Sequence, residues 1–172
     1  NMLIVGGTGS GKTTLANAIL AEPAFAQDRV VLIEDTAELQ CSAEDKIQML
    51  TKRTDPPVTM TDLVRDTLRL RPDRIIIGEV RDGSALDLLK AWNTGHPGGL
   101  ATIHANSALE GLTRLEDLIG EVTQRIPYRA ITQAINLVIH IARAPAGRRV
   151  QEVARVTGRE GDAYVLEACV EG

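Results

Sequence analysis

Gly6-Gly7-Thr8-Gly9-Ser10-Gly11-Lys12-Thr13-Thr14 follows the apolar run Met2-Leu3-Ile4-Val5 and leads into Leu15-Ala16-Asn17-Ala18-Ile19-Leu20. Strand, glycine-rich loop and helix stand here in the order a phosphate-binding P-loop needs. The glycines let the backbone bend until successive N–H groups face one anion, and the helix N-terminus adds its positive partial charge. In such a loop Lys12 reaches the β- and γ-phosphates and the Thr13 hydroxyl sits on Mg²⁺. A bland glycine turn with a chance lysine does not require the full G-x-x-x-x-G-K-T pattern between a strand and a helix. The pattern implies a nucleoside triphosphate ligand, bound by residues Gly6 to Thr14.

Outward from this loop, the totals describe one domain over residues 1–172, long enough to bury a real core. The composition is 44% hydrophobic and 24% charged, with aromatics at only 2% and a net charge of −4. Single-stranded nucleic acid is usually held in a positive groove with stacking aromatics, so direct nucleic-acid binding is not expected. Cys41 and Cys169 are too far apart for metal-ligand spacing, and they fit a reducing compartment better than a disulfide framework. No run approaches the roughly 20 apolar residues of a membrane span. The chain opens with Asn1 directly against its first strand, which leads us to expect a preceding N-terminal domain in the parent protein.

Arg29 to Ile33 reads as a buried parallel strand and ends in Glu34-Asp35, with Glu38 close behind. In parallel sheets ligand chemistry gathers at the carboxyl ends of strands, where these acids fall. Taken alone they read first as a solvated acidic turn. Ile47 to Thr51 is a candidate edge strand, and Asp55-Pro56-Pro57 an extended turn. Thr59, with Asp62 at capping-box spacing, starts a helix with Leu63, Val64, Thr67, Leu68 and Leu70 inward, stopping at Arg71 before Pro72. Arg65, Arg69 and Arg71 on this helix and its end read first as a solvated face.

Arg74 to Glu79 is an apolar strand ending in a carboxylate. Some 65 residues behind a P-loop, that is the arrangement of a Walker-B element, with Glu79 placed to hold Mg²⁺ or polarise water. Ser84 is expected to cap the next helix, whose buried face is Ala85, Leu88, Leu89 and Trp92, and Gly95 to end it. His96 lies in a glycine-rich turn and His104 at the end of the strand Leu100–Ile103. A lone histidine is more often structural, but two flanking one strand of a nucleotide-binding sheet suit a sensor of the γ-phosphate. His140 reads as an ordinary strand residue. Ser107 and Glu110 form a capping box for a helix carrying Leu109, Leu112 and Ile119. A short helix from Tyr128 to Ile135 and a strand from Leu137 to Ala142 follow. Val150–Thr157 and Ala163–Val170, around a turn at Gly158–Asp162, read as a C-terminal antiparallel hairpin.

Together the P-loop, Ile33-Glu34-Asp35, Ile77-Gly78-Glu79-Val80-Arg81-Asp82 and Gly95-His96…Thr102-Ile103-His104 resemble the secretion (traffic) ATPases of type II and type IV secretion and type IV pili. Pro97-Gly98-Gly99 after the first histidine is similar to the conjugal transfer (TrbB-type) branch. Type II motors typically carry a four-cysteine zinc motif, which two distant cysteines cannot form. The resemblance implies a RecA-like α/β core, mostly parallel and flanked by helices, that hydrolyses ATP with Mg²⁺ in a ring hexamer. It implies partners among inner-membrane secretion proteins and a place at the cytoplasmic face of that membrane. It also implies that Glu34 orients the attacking water, Glu79 acts at the Walker-B position, and His96 and His104 sense phosphate and relay closure. Arg65 and Arg69 match arginines near the subunit boundary and are candidates to act in trans. A pilus motor, a nucleotide-gated scaffold, a DNA-pumping ATPase and a small-molecule kinase are the competing readings, in falling order.

Overall fold

A computed structural model describes residues 1–169. One sheet of eight strands forms the middle layer, in the order β3-β2-β4-β5-β1-β6-β7-β8. The strands are β1 (Met2–Val5), β2 (Val30–Glu34), β3 (Lys46–Leu50), β4 (Arg74–Ile77), β5 (Leu100–Ile103), β6 (Leu137–Ala144), β7 (Gly147–Glu160) and β8 (Ala163–Ala168). The first six run parallel, and β7 and β8 are added antiparallel. The helices are α1 (Lys12–Leu20), α2 (Met60–Thr67), α3 (Ser84–Trp92), α4 (Ala108–Gly120) and α5 (Tyr128–Ala134).

The apolar runs Val30–Ile33 and Ile75–Ile77 lie inside this sheet, where both faces are covered and successive residues alike are buried. Side-chain alternation then divides the core in two. Leu3, Val5, Val31, Ile33, Ile75, Ile77 and Ile103 pack under α2 to α5, while Ile4, Leu32, Ile76 and Leu100 pack under α1. The expected RecA-like arrangement, a mostly parallel sheet with a C-terminal antiparallel pair, is what forms.

Approach of α4 to β1 depends on Gly111, where an added Cβ would run into Val5 Cγ1. Alanine is the better helix former by about 1 kcal/mol, but overpacking a closed core costs about 1–3 kcal/mol. The clash dominates here because Val5 is fully buried and joins the P-loop directly. Gly111→Ala is expected to lower Tm by roughly 2–8 °C, and thermal unfolding followed by circular dichroism checks it. An unchanged or raised Tm means that β1 has room to yield.

Several local expectations are corrected. Leu68 and Leu109 are exposed rather than inward, at 43% and 48%. Leu68 falls where α2 tightens into a short 3-10 turn, Leu68–Leu70, which rotates it off the inner stripe. The turn ends at Arg71, in the left-handed region at φ 52. Leu109 lies one position beside the buried stripe of Ala108, Gly111, Leu112, Leu115 and Ile119. Ser84 does not cap α3; the Asp82 carboxylate accepts its N–H at 2.9 Å, and Gly83 is the boundary residue. Half of the second capping box forms, since Ser107 Oγ accepts from Glu110 N–H but the Glu110 carboxylate takes Asn106 instead. The first box, Thr59 with Asp62, is complete.

At the C-terminal end, β6 runs on to Ala144 and turns over Pro145-Ala146 straight into β7, because Ala144 pairs with Gly147. The strand expected from Val150 therefore begins at Gly147, and the next turn shrinks to Gly161-Asp162, between Glu160 and Ala163. Val170 lies outside the described residues. Among the described residues no helix is long and apolar enough to cross a membrane.

Candidate active site

The carboxyl ends of β1, β2, β4 and β5 point to one side and enclose a cleft of about 460 Å³ with the P-loop as its floor. The loop keeps its bend with two glycines in the left-handed region, Gly9 at φ 69 and Gly11 at φ 101. α1 starts at Lys12, so the free N–H groups of its first turn open on the cleft.

Lys12 is almost wholly buried, and its Nζ has three partners: Gly6 O at 2.8 Å, Gly7 O at 3.2 Å and His104 Nδ1 at 3.2 Å. An ammonium has three donors and no acceptor, so His104 Nδ1 must be the acceptor and Nε2 carries the ring proton. That proton faces Glu79 Oε1 at 2.6 Å. Glu79 Oε2 is taken by Arg81, whose guanidinium also lies 3.6 Å from Asp35. Thr51 Oγ1 in turn donates to Asp35 Oδ1 at 2.7 Å. One chain of polar contacts thus joins the P-loop, the end of β5, the end of β4 and the acids after β2. Burial pulls the Lys12 ammonium below its ordinary pKa; the Glu79 carboxylate opposes this and Arg81 adds to it.

Glu34 is buried at 3% exposure on the same cleft. Its Oε1 accepts from Glu38 N–H at 2.9 Å and Leu39 N–H at 2.8 Å, which fixes the carboxylate against rotation. Its Oε2 is buried with no protein partner among the described residues. A carboxylate oxygen left so is costly unless water or a cation completes it. The loop carrying it is tied to α1 through Asn17, which donates to Glu38 O and accepts from Gln40 N–H.

Thr8 to Thr14, Glu34, Glu79 and His104 therefore line one cleft, and Gly6 and Gly7 hold its lysine. His96 is not brought there. Its Nδ1 lies 2.9 Å from Ala91 O at the end of α3, where it fixes the turn into β5. Arg65 and Arg69 also stand away from the cleft. Arg65 is 3.4 Å from Asp87 and Arg69 3.9 Å from Asp66, both with largely exposed side chains. The sequence reading assigned no role to Arg53, Arg81 or Arg148, although all three line the cleft. Arg81 sat in a quoted motif two residues after Glu79. Arg148 carried no signal, since only the strand order brings β6 and its hairpin beside the P-loop.

A bound Mg²⁺ fits this donor set. Mg²⁺ is usually held by one or two carboxylates together with substrate phosphates rather than by an all-protein cage. The Thr13 hydroxyl and the Glu79 carboxylate would supply that chemistry, which leaves the open Glu34 oxygen for a water. Among the described residues no group of three or more His, Cys, Asp or Glu side chains forms a metal cage.

Residues 1–171 match the family described as Type II/IV secretion system protein. The chain belongs to that family. The conjugal transfer protein TrbB of Rhizobium radiobacter is 54% identical over 169 residues, covering 97% of this chain and 51% of that protein. The type IV secretion system protein VirB11 of Bartonella quintana is 38% identical over 124 residues, covering 70% and 35% respectively. Among solved structures, the VirB11 ATPase of the Brucella suis type IV secretion system, in complex with sulphate, superposes with a TM-score of 0.80 at 32% identity. That match covers 90% of this chain and 47% of the other. The pilus retraction motor PilT with bound ADP gives 0.68 at 26% identity, covering 92% and 47%. This member of the type II/IV secretion family spans about half the length of the curated relatives it matches, 51% for the first.

Proposed function

We propose that this chain is the ATP-hydrolysing core of a conjugal transfer or type IV secretion motor. The observation that carries it is the linkage Lys12–His104–Glu79–Arg81 beside the buried, half-satisfied Glu34. Such a site binds phosphates through Lys12 and the loop amides. Thr13 and Glu79 would hold Mg²⁺, and Glu34 sets water against the γ-phosphorus. The water oxygen bonds to phosphorus as the bond to the β–γ bridging oxygen breaks. ADP and phosphate leave, and the water's proton passes by way of Glu34. Bound Mg²⁺ would neutralise charge growing on the phosphate oxygens. The protein otherwise positions reactants, which is most of what phosphoryl transfer asks of it. His104, donating to Glu79 and accepting from Lys12, registers whether Lys12 has moved to a phosphate.

TrbB and VirB11 relatives favour conjugation and type IV secretion over the pilus motor, and the similarity to PilT keeps the latter as the second reading. A hexameric ring at the cytoplasmic face of the inner membrane, attached through partner proteins and completed by a further domain, accompanies this reading. Arg65 on α2 and Arg69 in the 3-10 turn after it, both exposed, are the candidates to reach a neighbouring subunit's nucleotide.

Mg-ATP turnover measured against protein concentration tests the reading. Specific activity that rises with concentration is the expected result, because it places part of each site on a neighbouring copy. Flat activity removes the trans role of Arg65 and Arg69. Tight ATP binding without turnover, by this chain and by the longer parent alike, favours a nucleotide-gated scaffold.

A further inference from the structure

The hairpin between β6 and β7 carries a cation that the reading above leaves unused. β6 runs beside β1 with Val5 opposite His140, so its continuation passes the end of β1 and rises along the P-loop. The tight turn then sets Arg143 directly across from Arg148. Directly opposed residues share a face of the sheet, and like charges there repel. A sheet end carries such a pair at a cost, which an anion beside it would offset.

Arg148 leans onto the P-loop. Its Nε donates to Gly9 O at 3.0 Å, at the tip of the loop. Its stem fills the space left by the absent side chain of Gly11, where a Cβ would stand 2.6 Å from Arg148 Cδ. The residue lines the cleft with Lys12 and Thr13, and among the described residues only its Nε is engaged by a protein hydrogen bond. The two terminal nitrogens are left as donors on a solvent-facing wall of the cleft. A guanidinium so placed does two things at once. It fixes the carbonyl whose direction sets the neighbouring amides, and it brings a fixed positive charge to the phosphate path.

We infer that Arg148 is a nucleotide-binding residue of this cleft, a second cation beside Lys12 that holds the loop tip and contacts the phosphates of nucleoside di- and triphosphates. The inference rests on the nucleotide-binding reading above and adds a residue from the antiparallel part of the sheet. Because the Gly9 and Gly11 amides face phosphates common to both nucleotides, the contact serves ADP and ATP alike.

Fluorescent ADP and ATP, titrated with Mg²⁺ into the wild type, Arg148→Ala and Arg148→Lys, decide it, together with the Tm of each protein without nucleotide. Arg148→Ala is expected to weaken both nucleotides about tenfold, the scale of one exposed charge-assisted hydrogen bond. Arg148→Lys should recover a good part of that loss, with the nucleotide-free Tm unchanged in both. Arg148→Ala binding as tightly as wild type overturns the inference. So does equal weakening in both variants accompanied by a fall in the nucleotide-free Tm, which makes Arg148 a brace for the fold alone. A wild type that binds neither nucleotide overturns the nucleotide reading itself.

Discussion

Glu79→Gln is expected to reduce Mg-ATP turnover about 10²–10³-fold, the scale seen when one preorganised polar group of an active site is removed, with nucleotide affinity nearly unchanged. Both Glu79 oxygens are committed, one to His104 Nε2 at 2.6 Å and the other to Arg81. Glutamine keeps the shape but offers one acceptor, so one of these donors must face an amide NH₂. The negative charge that balances Arg81, and that would serve Mg²⁺ on the proposed reading, is lost as well. Binding should survive because, on the proposed reading, the phosphate contacts belong to Lys12, Arg148 and the loop amides, which this change leaves in place. Single-turnover hydrolysis of labelled ATP, paired with an affinity titration, checks both halves. Turnover above a tenth of wild type would remove Glu79 from the chemistry. A parent protein carrying Glu79→Gln that still supports transfer in cells would replace the motor reading with the scaffold.

Lys12→Ala is expected to act earlier, weakening ATP and ADP binding by roughly 10²-fold or more, with turnover lost in step. The side chain is buried and used at every donor, and on the proposed reading its removal takes one of two cations, the other being Arg148, from the β- and γ-phosphates. It also leaves Gly6 O and His104 Nδ1 without a partner, while Gly7 O keeps the Ser10 N–H at 3.2 Å. Each orphaned acceptor would cost about 1–3 kcal/mol in a sealed core, but these border a cleft that admits water. Ligand-free Tm should therefore change little, and the defect should lie in binding. Lys12→Arg is not expected to rescue, because the planar guanidinium cannot enter the turn between the two carbonyls. Calorimetric titration with ADP separates the outcomes, and affinity within threefold of wild type in Lys12→Ala would deny the lysine its role.

Much of this site could be read before the fold was known because its parts lie within motifs. Gly6 to Thr14, Glu34 and Glu79 each end or follow an apolar strand, and parallel topology sends those ends to one side. What could not be read depends on pairing across the sheet. Arg148 stands 136 positions beyond Lys12 and reaches Gly9 only because β6 is the neighbour of β1. His96 looked equivalent to His104 by spacing. Gly95, at φ 101, turns the chain so that the His96 ring falls back on α3 while His104 follows β5 into the cleft. The misplaced caps have a similar cause. Ser84 and Glu110 had the right residue types, but Asp82 and Asn106 supplied nearer partners, a competition among short polar side chains that spacing does not resolve. Leu68 and Leu109 fit a helical stripe within one position, and a single 3-10 turn or a one-residue rotation was enough to expose them.

The three bonds on Lys12 Nζ have a kinetic consequence. Gly9 and Gly11 already hold the loop bent, and Arg148 already grips its tip, so a nucleotide meets a finished cradle. The ammonium alone is spoken for, shared between two carbonyls and an imidazole. On the proposed reading, nucleotide entry would be an exchange of partners on one nitrogen rather than the folding of a loop. The release of His104 that goes with it would give the opposite end of the polar chain, at Asp35 and Thr51, news of an arrival it does not touch.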